Sequence, residues 1–205
     1  MKKIGLFGGS FDPFTVAHMA IVESVLKNNL VDTVTILPTI VDYHRPGKEK
    51  WLTDSEKFMV IYEFTRRSEF QDRIYLDFQE LGWKKDGTLS EEEVRNWRFI
   101  DTLKRVRNIY ENSDNKTVNR DEFQFYTILG TDSVRNFKTW YRWDDILSLC
   151  ELIGVEGRDG MGTNTTIPYI PVRIPDEYSN VSSSKIREKF DNVYDYMKSI
   201  FGEKK

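Results

Sequence analysis

Hydrophobic positions along the chain alternate between two spacings. Residues 3–7 form a short apolar run that stops at Gly8-Gly9, and beyond Pro13 the apolar residues Val16, Met19, Ala20, Val22 and Leu26 fall at helical intervals. The pattern predicts a strand, a glycine turn and a helix. A second β-rich run at 33–37 ends at Pro38, a polar and basic stretch follows at 42–50, and a helix is predicted at about 55–67. Further strands are predicted at 73–78, 125–129, 149–155 and 167–172, with helices near 96–110, 143–147 and 183–190. Such alternation predicts an α/β fold: a doubly wound, mostly parallel sheet with helices on both faces.

Two stretches interrupt the alternation. Residues 82–93 are charged and contain glycine, residues 111–122 are rich in Asn and Asp, and both are predicted to be surface insertions. With 205 residues, 39% of them hydrophobic, the chain can bury a full core, and a single domain spanning 1–205 is expected. The charged fraction of 31% leaves a net charge of only -3. No general basic field results, so a nucleic acid polymer is not an expected partner. Cys150 is the only cysteine, which excludes an intrachain disulfide or a multi-cysteine metal site and fits a reducing compartment. No apolar run approaches the ~20 residues that span a bilayer, and Met1-Lys2-Lys3 leads into only a short apolar stretch. Neither a membrane segment nor a signal peptide is expected, and the cytoplasm is the expected location. Assembly into a homo-oligomer is left open.

The segment from Gly8 to His18 falls where a first strand ends and a helix begins, the place where doubly wound sheets bind nucleotides. Glycines let a backbone approach a ligand closely, and free amides at a helix start favour an anion. Thr15 and His18, three residues apart, share a helix face and are expected to offer two donors to one phosphate. Taken alone, Gly8-Gly9 also reads as a tight turn and His18 as an ordinary, partly buried histidine. Neither G-x-G-x-x-G nor G-x-x-x-x-G-K-[ST] is present, which weighs against oxidoreductase and P-loop readings.

Gly-Gly-Ser-Phe-Asp-Pro at 8–13, followed by Thr15-x-x-His18, resembles the opening motif of the nucleotidyltransferase superfamily with its [HT]-x-x-H pair, though Ala17 stands where that superfamily usually carries glycine. Near the other end, Val181-Ser182-Ser183-Ser184-Lys185-Ile186-Arg187 is by itself ordinary helix capping. In order and position it is similar to the closing I-S-S-[TS]-x-[IV]-R element of the same superfamily, whose serine and arginine bind the triphosphate. The resemblance implies a Rossmann-like fold and an ATP site made by Gly9, Ser10, Phe11, Thr15, His18, Ser182, Ser183, Ser184 and Arg187, with His18 and Arg187 catalytic.

Leu129-Gly130-Thr131-Asp132-Ser133 and the later Thr139-Trp140-Tyr141 resemble the bacterial-type nicotinate mononucleotide adenylyltransferases. That resemblance implies a pyridine mononucleotide as second substrate, bound by Gly130, Asp132, Trp140, Tyr141 and Arg158. A backbone without a side chain can approach a sugar, a carboxylate can accept from ribose hydroxyls, and an indole face can stack on a pyridine ring. The basic stretch at 42–50 aligns with a loop that reaches phosphates in the family and equally reads as solvated surface. Arg98-Phe99 stands where the family usually has Tyr-Thr, and a cation there would favour a nicotinate carboxylate over the amide; a solvent-facing helix residue is the other reading of Arg98.

The reaction implied is attack by the mononucleotide's phosphate on the α-phosphorus of ATP, releasing pyrophosphate. The expected cofactor is Mg²⁺ carried by the ATP phosphates, with no metal ligands from protein side chains, since no carboxylate cluster has metal-ligand spacing. Two rivals are phosphopantetheine adenylyltransferase, whose substrate needs no aromatic platform, and a noncatalytic nucleotide sensor that keeps the fold without turnover.

Overall fold

The computed structural model describes residues 1–39, 50–81, 90–112, 122–156 and 166–202. Strands β1 (Lys2–Gly9), β2 (Thr33–Pro38), β3 (Ile74–Leu76), β4 (Phe123–Leu129), β5 (Glu151–Val155) and β6 (Ile170–Val172) form one sheet in the order β3-β2-β1-β4-β5-β6. Every pairing is parallel. This is the doubly wound order with a topological switch between β1 and β4, beyond whose carboxyl ends folds of this kind bind their ligands.

The helices are α1 (Val16–Lys27), α2 (Asp54–Thr65), α3 (Glu91–Asn96), α4 (Phe99–Glu111), α5 (Thr131–Arg135), α6 (Trp143–Leu149), α7 (Ser183–Lys189) and α8 (Val193–Phe201). Because strand side chains alternate, β1 feeds two cores. Ile4 and Leu6 pack with Ile100, Leu103 and Val106 of α4 and with Ile146 of α6. Phe7 lies in the other cluster, with α1 residues such as Val22 and Val25, Phe64 of α2, and Tyr196 of α8. All six residues of β2 are buried, as expected for a strand covered on both faces. The expected two-sided parallel sheet is therefore present. No helix among the described residues is long and apolar enough to cross a membrane.

Three departures have local causes. The helix predicted near 96–110 is present but starts at Phe99, because the chain caps it at Arg98: its N–H donates to Asp101 Oδ2 at 3.0 Å, and the Trp97 indole donates to Thr102 Oγ1 at 2.9 Å. The insertion at 82–93 is not all loop. Ser90 and Glu93 cap each other, Ser90 N–H to Glu93 Oε2 at 2.8 Å and Glu93 N–H to Ser90 Oγ at 3.2 Å, and start α3. Glu111, assigned to the second insertion, closes α4. The sequence reading also passed over α8, whose signal was present: Asn192 accepts from the Asp195 N–H at 3.0 Å, and Val193, Tyr196, Met197 and Ile200 follow at helical spacing.

Candidate active site

The two glycines that end β1 face opposite sides of the sheet. A Cβ at Gly9 would lie 2.7 Å from Phe11 Cε1, on the α1 side, whereas a Cβ at Gly8 would lie 3.5 Å from Phe99 Cε2, on the α4 side. Gly9 is thus required by the Phe11 ring packed over it. That ring is core: Phe11 is buried, has a left-handed backbone (φ 44), and packs against Phe7, Phe14 and His18. The Phe11 side chain, expected in the ATP site, is therefore occupied in the core. Ser10 beside it is half-buried.

Thr15 and His18 come together, but not as two donors side by side. Thr15 is fully buried and is the N-cap of α1, its Oγ1 accepting the His18 N–H at 3.4 Å. In return the Thr15 N–H donates to His18 Nδ1 at 3.0 Å. Thr15 therefore positions His18, which corrects the expected clamp to one donor with a cap behind it. With Nδ1 accepting, the proton of the neutral ring is assigned to Nε2. The ring keeps some solvent exposure but lies among Phe7, Phe11 and Phe14, with centroids 6.1, 5.2 and 5.2 Å away. This desolvation lowers its pKa to about 4. His18 is a neutral N–H donor.

The closing motif folds back onto the opening loop. Ser182 caps α7, accepting from the Lys185 N–H at 3.3 Å. Ser183 Oγ donates to the Pro13 carbonyl at 2.9 Å, and Arg187 donates to the Asp12 carbonyl and to Ser184 Oγ. From α8, the buried Tyr196 hydroxyl donates to the Phe14 carbonyl at 3.1 Å. Three successive carbonyls of the opening loop are held by side chains from the far end of the chain. Asp12, given no role from the sequence, is buried and accepts the Trp51 and Leu52 N–H groups at 3.2 and 2.9 Å, fastening the start of α2 to the same loop.

Directly after β4, Gly130 caps α5 with φ -68, and nothing lies within 4 Å of where its Cβ would be. Neither backbone conformation nor packing demands glycine there, so the open space fits a closely approaching ligand. Asp132 is exposed in the first turn of α5, and Thr131 Oγ1 donates to the Val155 carbonyl at 2.9 Å. Trp140 is half-buried between Phe137 and Phe99, each with its ring centroid 5.4 Å away, Phe99 edge-on at 68°. Tyr141 is 61% exposed. Phe99, which sequence reasoning noted only as a departure, thus joins Gly8 to Trp140. The start of α4 is held by Glu80, a buried carboxyl that accepts from Thr102 and whose pKa burial raises. Arg98, half-buried beside Phe99, donates to the Trp97 carbonyl at 2.9 Å. Arg158 and residues 42–49 of the basic stretch lie outside the described residues.

A six-stranded parallel sheet in doubly wound order, with His18 and Arg187 brought to the loop after β1, defines a Rossmann-like α/β protein. More narrowly, the chain belongs to the cytidylyltransferase-like family, whose model matches residues 6–189. A Bacillus subtilis protein named nicotinate-nucleotide adenylyltransferase is 28% identical, over 93% of this chain and 86% of its own length. A Fusobacterium nucleatum protein named "Probable nicotinate-nucleotide adenylyltransferase" is 29% identical, over 94% and 90%. Among solved structures, Plasmodium falciparum nicotinic acid mononucleotide adenylyltransferase complexed with NaAD shares the fold, with a TM-score of 0.67 at 19% identity, covering 97% of this chain and 90% of that one.

Proposed function

We propose that this protein transfers the AMP part of ATP to nicotinate mononucleotide, making the dinucleotide and pyrophosphate. The observation that carries the reading is the arrangement around the end of β1. His18 and the Arg187-bound loop lie on the side that Gly9 faces, and the Phe99–Trp140 ring pair lies on the side that Gly8 faces. A triphosphate on the first side and a flat ring on the second would meet beyond the end of β1. The activity named for the Bacillus subtilis and Fusobacterium nucleatum relatives supports the same substrates.

The step is an in-line displacement. An oxygen of the mononucleotide's phosphate attacks the α-phosphorus, the bond from that phosphorus to the bridging oxygen breaks, and pyrophosphate departs with the electron pair. The attacking oxygen is already anionic, so no general base is required; the protein's work is to align two anions and stabilise charge on the transferring group. His18 Nε2–H supplies a donor that carries no charge and does not need reprotonation. Arg187 supplies fixed positive charge for the leaving phosphates. The donors at this site suit anionic oxygens, and among the described residues no three His, Cys, Asp or Glu side chains are grouped as metal ligands. In this reading a Mg²⁺ ion would be carried by phosphate oxygens and water and would neutralise the triphosphate. The buried Cys150 thiol, raised to about 11 by desolvation, stays protonated and takes no part in the step.

The test is pyrophosphate release from ATP and Mg²⁺ with nicotinate mononucleotide, nicotinamide mononucleotide and phosphopantetheine. Turnover should be fastest with a pyridine mononucleotide, and His18→Ala should lower kcat by roughly 100-fold or more, the usual effect of losing one preorganised donor. Faster turnover with phosphopantetheine would replace the reading with that rival. Tight ATP binding with no release for any acceptor would replace it with a sensor.

A further inference from the structure

The C-terminal helix α8 acts on the site through one peptide unit. Tyr196 is 1% exposed, packs on Phe190 with ring centroids 5.6 Å apart, and belongs to the cluster that holds Phe14 and Val193. Its hydroxyl donates to the Phe14 carbonyl at 3.1 Å, and the next N–H along the chain, that of Thr15, donates to His18 Nδ1 at 3.0 Å. That carbonyl and that N–H belong to the same planar, trans peptide unit, so they point in opposite directions from one rigid plate. A donor on its oxygen edge fixes the plate's tilt and polarises the amide, which strengthens the N–H as a donor from its other edge.

We propose that Tyr196 is a positioning residue for adenylyl transfer: held through the Phe14–Thr15 peptide, His18 keeps Nδ1 as the acceptor and presents Nε2–H to the phosphates. The inference rests on the adenylyl-transfer reading above. The hydrogen-bond series runs from the Tyr196 hydroxyl through the Phe14 carbonyl and Thr15 amide to the His18 ring. Burial pushes the Tyr196 phenol above its ordinary range, so it remains a donor at any pH where the protein works. The ring of Phe14, 5.2 Å from the His18 centroid, is carried by the same residue.

Tyr196→Phe keeps the ring and removes only the hydroxyl, a loss small enough to leave a domain of this size folded. It should lower kcat about tenfold while changing the KM for ATP little. In a His18→Ala background the same substitution should leave kcat within about twofold, because residues acting through one group are not additive. Nitrogen-15 shifts of the His18 ring should show one neutral Nε2–H tautomer in the unaltered protein and a mixture in Tyr196→Phe. Phe190→Leu, which loosens the packing of the Tyr196 ring without touching its hydroxyl, should lower Tm and spare kcat. An equal kcat loss in both His18 backgrounds, an unchanged tautomer in Tyr196→Phe, or a matching kcat loss in Phe190→Leu would each overturn the proposal. If the unaltered protein transfers AMP to no acceptor, the functional reading fails on its own, and the tautomer measurement still decides what Tyr196 does to His18.

Discussion

Lowering the pH from neutral to the mid-fives should leave His18 uncharged. The ring is surrounded by Phe7, Phe11 and Phe14, and its pKa falls from 6.5 to about 4. At pH ~5.5 an unperturbed histidine would be about 90% protonated, whereas one with a pKa near 4 is about 3% protonated. Stability shifts in a defined direction. The folded pKa lies below the unfolded one, so the contribution of the neutral ring is fully present above pH 6.5 and is eroded between 6.5 and about 4. The whole erosion is at most roughly 3 to 4 kcal/mol, since each pKa unit is worth about 1.4 kcal/mol. The mononucleotide's phosphate monoester itself titrates near ~6, so the decisive measurement is made on the free protein: the His18 ring proton shift followed by NMR, with urea midpoints at the same pH values. A His18 signal titrating near 6.5, or a His18→Gln variant whose stability falls with pH as steeply as the parent's, would refute the desolvation argument.

Trp140→Ala should raise KM for the mononucleotide more than KM for ATP, through loss of a stacking contact worth about 0.5–1.5 kcal/mol beyond area burial; equal effects in steady-state kinetics would make it a purely structural tryptophan. Gly9→Ala should destabilise by about 1–3 kcal/mol, the usual cost of overpacking, because the new methyl meets the Phe11 ring at 2.7 Å, while Gly8→Ala, with 3.5 Å to Phe99, should cost less. Thermal melts that rank the two the other way would show the packing argument to be misplaced. Arg98→Ala should reduce any preference for nicotinate over nicotinamide mononucleotide by up to one to two orders of magnitude, the range of a charge-assisted bond of ~1.5–3 kcal/mol; an unchanged ratio of kcat/KM values rejects the selectivity role.

Local chemistry explains which parts of this molecule were legible beforehand. The strand, glycine turn and helix around Gly8 and Val16 were readable because their signals lie within a few residues of one another. The same holds for Ser182 at the start of α7. Thr15 was misread because the spacing to His18 places both on one face but does not say that the threonine's amide and hydroxyl turn inward to the imidazole. Phe99, Asp12 and Tyr196 gave no signal of their roles, since each acts through a contact with a distant segment: Phe99 with Gly8 and Trp140, Asp12 with Trp51 and Leu52, Tyr196 with Phe14. Helix α3 was hidden inside a charged run whose Ser90 and Glu93 pairing is a recognisable capping pattern.

The three carbonyls of Asp12, Pro13 and Phe14 receive their donors from Arg187, Ser183 and Tyr196, across separations of 175, 170 and 182 residues. Contacts of such length are the slowest to close in a folding chain. The last strand of the sheet ends at Val172, ahead of all three donors, so a nascent chain emerging from the ribosome carries every strand before it carries any of these anchors. Anchoring of the opening loop therefore follows the described strands in order of synthesis. A product interrupted before Ser183 can carry every described strand and still lack the three donors that hold the loop ahead of α1.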